Sequence, residues 1–302
     1  MRMSVATVPT LPRASRTIGA ILMDAGLLSA EDAEQILRLQ RQNNLRFGEA
    51  AIRLGLLTEA DIQYALARQF DYAYLRMSDR RAVSEEVVAA YQPFSAQTEQ
   101  MRAIRGQLML RWFDLSEQRQ TLAVIGSQRG EGRSWLAANL AVVFAQLGER
   151  TLLIDADMRN PRQHELFMLQ NKSGLSTLLA HRSREEAIVR ITDLVGLSVL
   201  PAGPVPPNPL ELLSRLNFDE FLIHVRATFD VVIIDTPALS SGEDAAMIAV
   251  RTGAALAVAR SARTRVHAFN DMVQGLMNAG VSVVGSVLND VPEKKRKKAK
   301  AA

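Results

Sequence analysis

Apolar positions along the chain fall into two different rhythms. Between residues 16 and 75 they recur at helical spacing, in a pattern that occurs twice. Ile18, Gly19, Leu22 and Gly26 are followed by Leu37 and Gln40. The same series returns as Phe47, Gly48, Ala51 and Gly55, then Leu66 and Gln69. The offset from Gly19 to Gly48 holds throughout, so the segment is an internal repeat. Each copy predicts a short helix, a glycine stop, a Ser29 or Thr58 cap followed by acids, and a longer helix. A small all-α repeat domain over 16–75 is expected, after a flexible leader over 1–15 and before a connector over 76–98. The connector contains a short helix over 84–91 that Pro93 ends.

From about 99 to 290 the rhythm changes to short continuous apolar runs alternating with helical patterns. Runs over 121–126, 151–157, 229–235, 254–259 and 281–289 read as buried strands. The alternation predicts an α/β fold with a mostly parallel sheet and helices on both faces. Residues 199–213 read as a proline-dense loop entering a helix.

The first of these strands runs into Ser127-Gln128-Arg129-Gly130-Glu131-Gly132-Arg133-Ser134, and an amphipathic helix leaves it. Strand, glycine loop and helix form the setting of a phosphate-binding loop. Glycines let successive backbone N–H groups turn toward phosphate oxygens, and the helix N-terminus adds partial positive charge. Ser134 stands where a hydroxyl reaches Mg²⁺, and Arg133 where the motif expects lysine on the outer phosphates. Arginine is longer, planar and forked, so the exchange is not conservative. Two later strands end in acids: Asp155 and Asp157 after one, Asp235 after the other. Ligands of parallel sheets collect at the carboxyl ends of strands, so Ser134, Asp155, Asp157 and Asp235 are expected around one point. Those are oxygen donors of the kind Mg²⁺ takes.

The chain of 302 residues has no cysteine, which excludes disulfides and Cys-ligated zinc and suits a reducing compartment. No apolar run reaches the roughly 18–20 residues that span a bilayer, and a cytoplasmic protein is expected. The net charge of +4 misleads. Lys294, Lys295, Arg296, Lys297, Lys298 and Lys300 crowd a tail over 291–302, and without those six charges the body stands at −2. Such a tail suits an anionic membrane surface or an acidic partner. Nucleic acid is not expected, since no aromatic residues interleave with the basic ones.

Four motifs then occur in order. They are Ser127-x-x-Gly-Glu-Gly-Arg-Ser134, Ile-Asp155-Ala-Asp157-Met-Arg159-Asn-Pro161-x-x-His164, Gly203-x-x-Pro-x-Asn208-Pro209-x-Glu211, and Ile-Ile-Asp235-Thr-Pro237. Chained this way they resemble the cytoplasmic domain of bacterial tyrosine kinases that control exopolysaccharide chain length, in particular the soluble chain-length-determinant kinases. The likeness spans about residues 95–290. It implies a P-loop NTPase fold, ATP and Mg²⁺ as cofactors, and a separate membrane polysaccharide co-polymerase as partner, with the chain peripheral at the inner membrane. It implies nucleotide binding by Ser127, Gly130, Glu131, Gly132, Arg133 and Ser134. Catalytic roles fall to Arg133, Asp155, Asp157 and Asp235, one of the first two acids orienting or deprotonating a tyrosine hydroxyl. Ser134 and the three acids would hold the metal. Glu99, Arg102 and Arg105 match the family's oligomerisation motif and imply a homo-oligomer.

The sequence departs from that pattern in two ways. Arg133 replaces the lysine and Trp135 follows Ser134. The tyrosine cluster that ends such kinases has no counterpart, since the four tyrosines are Tyr64, Tyr72, Tyr74 and Tyr91. An acceptor elsewhere, Tyr72 or Tyr74 in trans among them, or loss of most transfer activity follows. A nucleotide-gated adaptor without kinase activity is therefore a second reading, and a positioning ATPase of the ParA/MinD type a third. The repeat resembles the N-terminal domain of type II secretion and type IV pilus ATPases, some of which bind cyclic di-GMP. That likeness marks Arg16, Gly19 and Gln40 in the first copy, where Thr17 takes the place of arginine, and Arg46, Gly48 and Gln69 in the second.

Overall fold

The computed structural model describes residues 17–69, 75, 83–113, 119–183 and 185–290, in two compact units divided after residue 74. The leader, Arg16, Tyr72, Tyr74 and the basic tail lie outside the described residues.

The first unit is four helices: α1 (Ile18–Asp24), α2 (Ala30–Asn43), α3 (Phe47–Arg53) and α4 (Glu59–Gln69). The repeat is visible in its caps. The Ser29 hydroxyl accepts from Asp32 N at 3.0 Å, and the Thr58 hydroxyl from Asp61 N at 3.3 Å. Gly26 and Gly55 follow the two short helices at φ 68° and 70°, a conformation that favours glycine. Leu22, Ile36, Ala50, Ala51 and Ala65 form a fully buried core.

The second unit holds a seven-stranded sheet in the order β3-β4-β2-β5-β1-β6-β7. The strands are β1 (Thr121–Gly126), β2 (Thr151–Asp155), β3 (Val189–Arg190), β4 (Leu197–Leu200), β5 (Val231–Asp235), β6 (Ala254–Arg260) and β7 (Ser282–Asn289). All pairs are parallel except β3 with β4. β1, β2 and β5 are buried along their whole length, because helices cover both faces. Successive side chains alternate between two cores: Leu122 and Val124 face one, Ala123 and Ile125 the other.

The helices of this unit are α5 (Val88–Tyr91), α6 (Ala96–Arg111), α7 (Arg133–Gln146), α8 (Gln163–Leu166), α9 (Leu175–Leu179), α10 (Pro209–Ser214), α11 (Leu216–Thr228), α12 (Asp244–Thr252) and α13 (Val266–Asn278). α7 is buried almost all round, which its apolar composition allows. Among the described residues no helix is long and apolar enough to cross a membrane.

Three sequence readings change here. Residues 83–98, expected as a connector, pack into the second unit. Ala89 N donates to Asn139 Oδ1 at 2.9 Å, and Gln146 Nε2 donates to Ala89 O at 2.9 Å. The helix expected over 84–91 is a single turn from Val88, since Ser84 N donates instead to Leu166 O. β4 overlaps the start of the stretch expected as a proline-dense loop from Val199, because four residues between Gly196 and a proline run give too short a pattern to register as a strand.

Candidate nucleotide site

The sheet order sets β1 between β5 and β6, and the loop after β1 lies at the carboxyl edge of all three. β2 and β5 pair in a register that puts Asp155 opposite Asp235. At this edge a cavity of about 580 Å³ opens, bounded by the glycine loop on one side and the turn after β2 on the other, with Asp155 and Asp235 buried behind its wall residues. Gly130, Gly132, Arg133, Ser134 and Asp157 are among its walls.

The loop is pinned through its carbonyls. Arg133 Nη1 donates to Gln128 O at 2.7 Å, Arg260 Nη1 to Gly130 O at 2.9 Å and Asn289 Nδ2 to Glu131 O at 3.0 Å. With those oxygens taken, the loop amides other than Gln128 N form its complementary face toward an anion. Gly132 is the N-cap of α7 at φ 97°, and an added Cβ would stand 2.1 Å from Asn289 Nδ2. Glycine is required there for both reasons.

Glu131 folds inward and is fully buried. Its carboxylate accepts from the Ser127 hydroxyl at 2.9 Å, from Gln128 N at 3.0 Å and from the Thr264 hydroxyl at 2.6 Å. Ser127 and Glu131 thus brace the loop from beneath. Arg133 does the same: its Nε donates to Thr236 O at 3.0 Å, and the side chain is 6% exposed.

The acids divide by environment. Asp155 is fully buried and accepts from Asp157 N, Arg162 N and Gln163 N at 3.2, 2.9 and 2.8 Å. Those bonds fix the turn that carries Asp157. Burial, then the neighbouring Asp235 charge, holds the Asp155 carboxyl well above its ordinary value. Asp235 is pushed up to about 6, chiefly by burial, against the pull of Gln163, Arg133 and Ser134. Asp157 is also raised by burial and accepts from Asn160 N at 2.9 Å. Asp235 Oδ2 accepts from Gln163 Nε2 at 2.8 Å, while its buried Oδ1 has no hydrogen-bond partner among the described residues. A buried carboxylate oxygen in that state is a vacant acceptor for a cation or a metal-bound water. Among the described residues no three His, Cys, Asp or Glu side chains form a closed metal cage. The donors fit a half-open Mg²⁺ site of Ser134 and acids, completed by phosphate and water.

Gln163, Arg260, Thr264 and Asn289 were not singled out from sequence. Asn289 ends an apolar strand, as Asp155 and Asp235 do, so the strand-end rule could have found it. A glutamine in the first turn of α8 gives no such signal, yet Gln163 Nε2 ties Asp235 to Ser134 O, the latter at 3.1 Å.

The remaining candidates sit elsewhere. Glu99, Arg102 and Arg105 share one flank of α6. Arg102 pairs with Glu99, and Arg105 donates to Val143 O of α7. Arg159 bridges to the buried Asp244 at 2.5 Å. Tyr91 is buried, with its hydroxyl on Val83 O. In the first unit, Gly19 and Gly48 lie against Phe47 and Ile62, where an added Cβ would come within 3.3 and 3.0 Å. Arg46 caps α3, its N–H donating to Glu49 at 3.0 Å. Gln40 and Gln69 lie in the last turns of α2 and α4. Helix packing and capping account for Gly19, Gly48 and Arg46 without a dinucleotide.

Residues 119–252 match a family model described as an AAA domain. The chain is 34% identical over 215 residues to the tyrosine-protein kinase YwqD of Bacillus subtilis, covering 71% of this chain and 90% of that one. It is 39% identical over 180 residues to the tyrosine-protein kinase ptk of Acinetobacter johnsonii, a longer protein of which it covers 25%, with 59% of this chain aligned. Among solved structures, the kinase domain of the Escherichia coli tyrosine kinase ETK superposes with a TM-score of 0.65 at 31% identity, over 76% of this chain and 87% of that one.

Proposed function

The chain belongs to the bacterial tyrosine-protein kinases, and on that premise we propose that it binds Mg-ATP at the 127–134 loop and transfers the γ-phosphoryl group to protein tyrosine. The observation that carries this reading is the side-by-side burial of Asp155 and Asp235 beneath a glycine loop, with one Asp235 oxygen left vacant. Two buried carboxylates with raised pKa values are costly unless a cation joins them.

The loop amides and the α7 N-terminus take the phosphates, and the Ser134 hydroxyl and Asp235 hold the metal edge. Bound Mg²⁺ supplies neutralisation of charge on the phosphate oxygens. Of the three strand-end acids Asp157 is the one in the cavity wall, and Asp155 is committed to backbone amides. Asp157 therefore orients the tyrosine hydroxyl and takes its proton, as the tyrosine oxygen bonds to the γ-phosphorus and the bond to ADP breaks. Arg133 holds the loop closed from below. The α6 flank of Glu99, Arg102 and Arg105 serves as a contact between copies of the chain.

Biologically, the kinase would set the chain length or export of an exopolysaccharide, working on a separate membrane co-polymerase from the cytoplasmic side of the membrane. Its acceptor tyrosine is on a partner or at Tyr72 or Tyr74 in trans, and Tyr91 is set aside by its burial. A nucleotide-gated adaptor is the competing reading. It is favoured by Arg133, whose Nε and Nη1 are both engaged by backbone carbonyls. Mg²⁺-dependent ADP release separates the two. Asp157→Ala and Asp235→Ala should each abolish it with the fold intact, and unchanged release in both would refute the assignment.

A further inference from the structure

Arginines surround the loop, but their guanidinium groups are not equivalent. Arg133 is spent beneath the loop on Gln128 O and Thr236 O. Arg162 is paired with Glu86 at 3.0 Å and Glu165 at 3.1 Å. Arg129 reaches across to Asn160 Oδ1 at 2.8 Å. Arg260 lines the same cavity and donates through Nη1 to Gly130 O, a neutral acceptor on the loop itself.

We propose that Arg260 reads the outer phosphate of the bound nucleotide, so that the site prefers a nucleoside triphosphate to a diphosphate. The inference rests on the phosphate-site reading above and goes beyond it by naming the residue that sets this preference. The fold delivers Arg260 to that place. Val258 is the register partner of Gly126, so the two further residues of β6 extend past the end of β1, where the loop begins. The backbone of Arg260 is then locked to the loop. Its N–H donates to Thr264 Oγ1 at 2.8 Å, and the Thr264 hydroxyl donates to Glu131 Oε1 at 2.6 Å. The turn between them carries Ala262 at φ 57°, a conformation unusual for alanine and one the surrounding bonds hold. Arg263 of the same turn also lies on the loop: an added Cβ on Gly130 would stand 2.9 Å from its Nη1.

The chemistry follows from where charge is needed. A lysine at position 133 would have extended a flexible point charge to the outer phosphates. Arg133 spends Nε and Nη1 on two carbonyls instead, and Arg260 brings a second cation to the same cavity from the end of β6. Arg260 is anchored to the loop by one nitrogen and presents a planar, multi-donor group to the cavity, which suits bidentate phosphate recognition.

Calorimetric titration of the full chain in Mg²⁺, with ADP and with a non-hydrolysable ATP analogue, tests this. Arg260→Gln should weaken the analogue by about tenfold or more, the loss of one charge-assisted hydrogen bond. ADP should weaken less than the analogue, so that the preference for the analogue over ADP falls by about tenfold, and Arg260→Lys should recover part of that preference. Equal weakening of both nucleotides would make Arg260 a loop brace and overturn the proposal, as would no weakening of either. Wild-type chain that binds neither nucleotide would overturn the phosphate-site reading itself, which the variant comparison alone cannot do.

Discussion

Asp235→Asn should make the nucleotide-free protein more stable while removing its response to Mg-nucleotide. The Asp235 carboxyl is displaced from an ordinary 3.8 to about 6. Each unit of displacement corresponds to about 1.4 kcal/mol, so at pH 7 the ionised side chain costs the fold about 3 kcal/mol. Asparagine removes the charge and still accepts from Gln163. Its amide replaces the unpartnered Oδ1, and placing a donor there gives back about 1 kcal/mol. The net gain is about 2 kcal/mol, or about 4–8 °C in Tm for a unit of this size. The pH dependence has a definite sign. The folded state keeps the proton in a range where the unfolded chain has lost it. Stability therefore falls as pH rises from about 4 through about 6, and the raised Asp155 acts in the same direction. Thermal unfolding from pH 5 to 7, with and without Mg-ADP, reads both effects. Wild type should gain stability on acidification and on Mg-ADP addition. Asp235→Asn should start higher at pH 7, show a flatter pH profile and gain little from Mg-ADP. A variant with an unchanged or lower Tm at pH 7 and the wild-type slope would refute the reasoning.

Gly132→Ala should abolish the Mg-ADP thermal shift, because the residue sits at φ 97° and its new methyl would meet Asn289; a shift of wild-type size would show the loop is not the nucleotide site. Tyr91→Phe should lower stability by about 1 kcal/mol, through loss of the buried bond to Val83 O, and leave total phosphotyrosine unchanged. Loss of label in that variant would make Tyr91 an acceptor despite its burial.

The elements that read correctly from sequence are those whose pattern is local. β1, β2 and β5 are buried on both faces, so they appear as unbroken apolar runs, and an acid at the end of each later run marks the sheet's carboxyl edge. The 29-residue repeat was equally plain, because its caps and glycine stops recur at fixed positions. What did not read was tertiary. Arg133 is one letter in a loop motif, and its partner Thr236 lies 103 residues away. Gln163 joins Ser134 to Asp235 from a third segment, and Glu131 meets Thr264 from a fourth. β4 failed for a different reason: it is four residues long and ends against prolines.

Incubation of the full chain with Mg²⁺ and γ-labelled ATP, followed by mapping of phosphotyrosine, tests the central claim most directly. The account predicts label on tyrosine, absent from Tyr91 and lost in Asp157→Ala. Nucleotide binding with no labelled tyrosine, on the chain or on an added tyrosine polymer, and with no ADP released would contradict it.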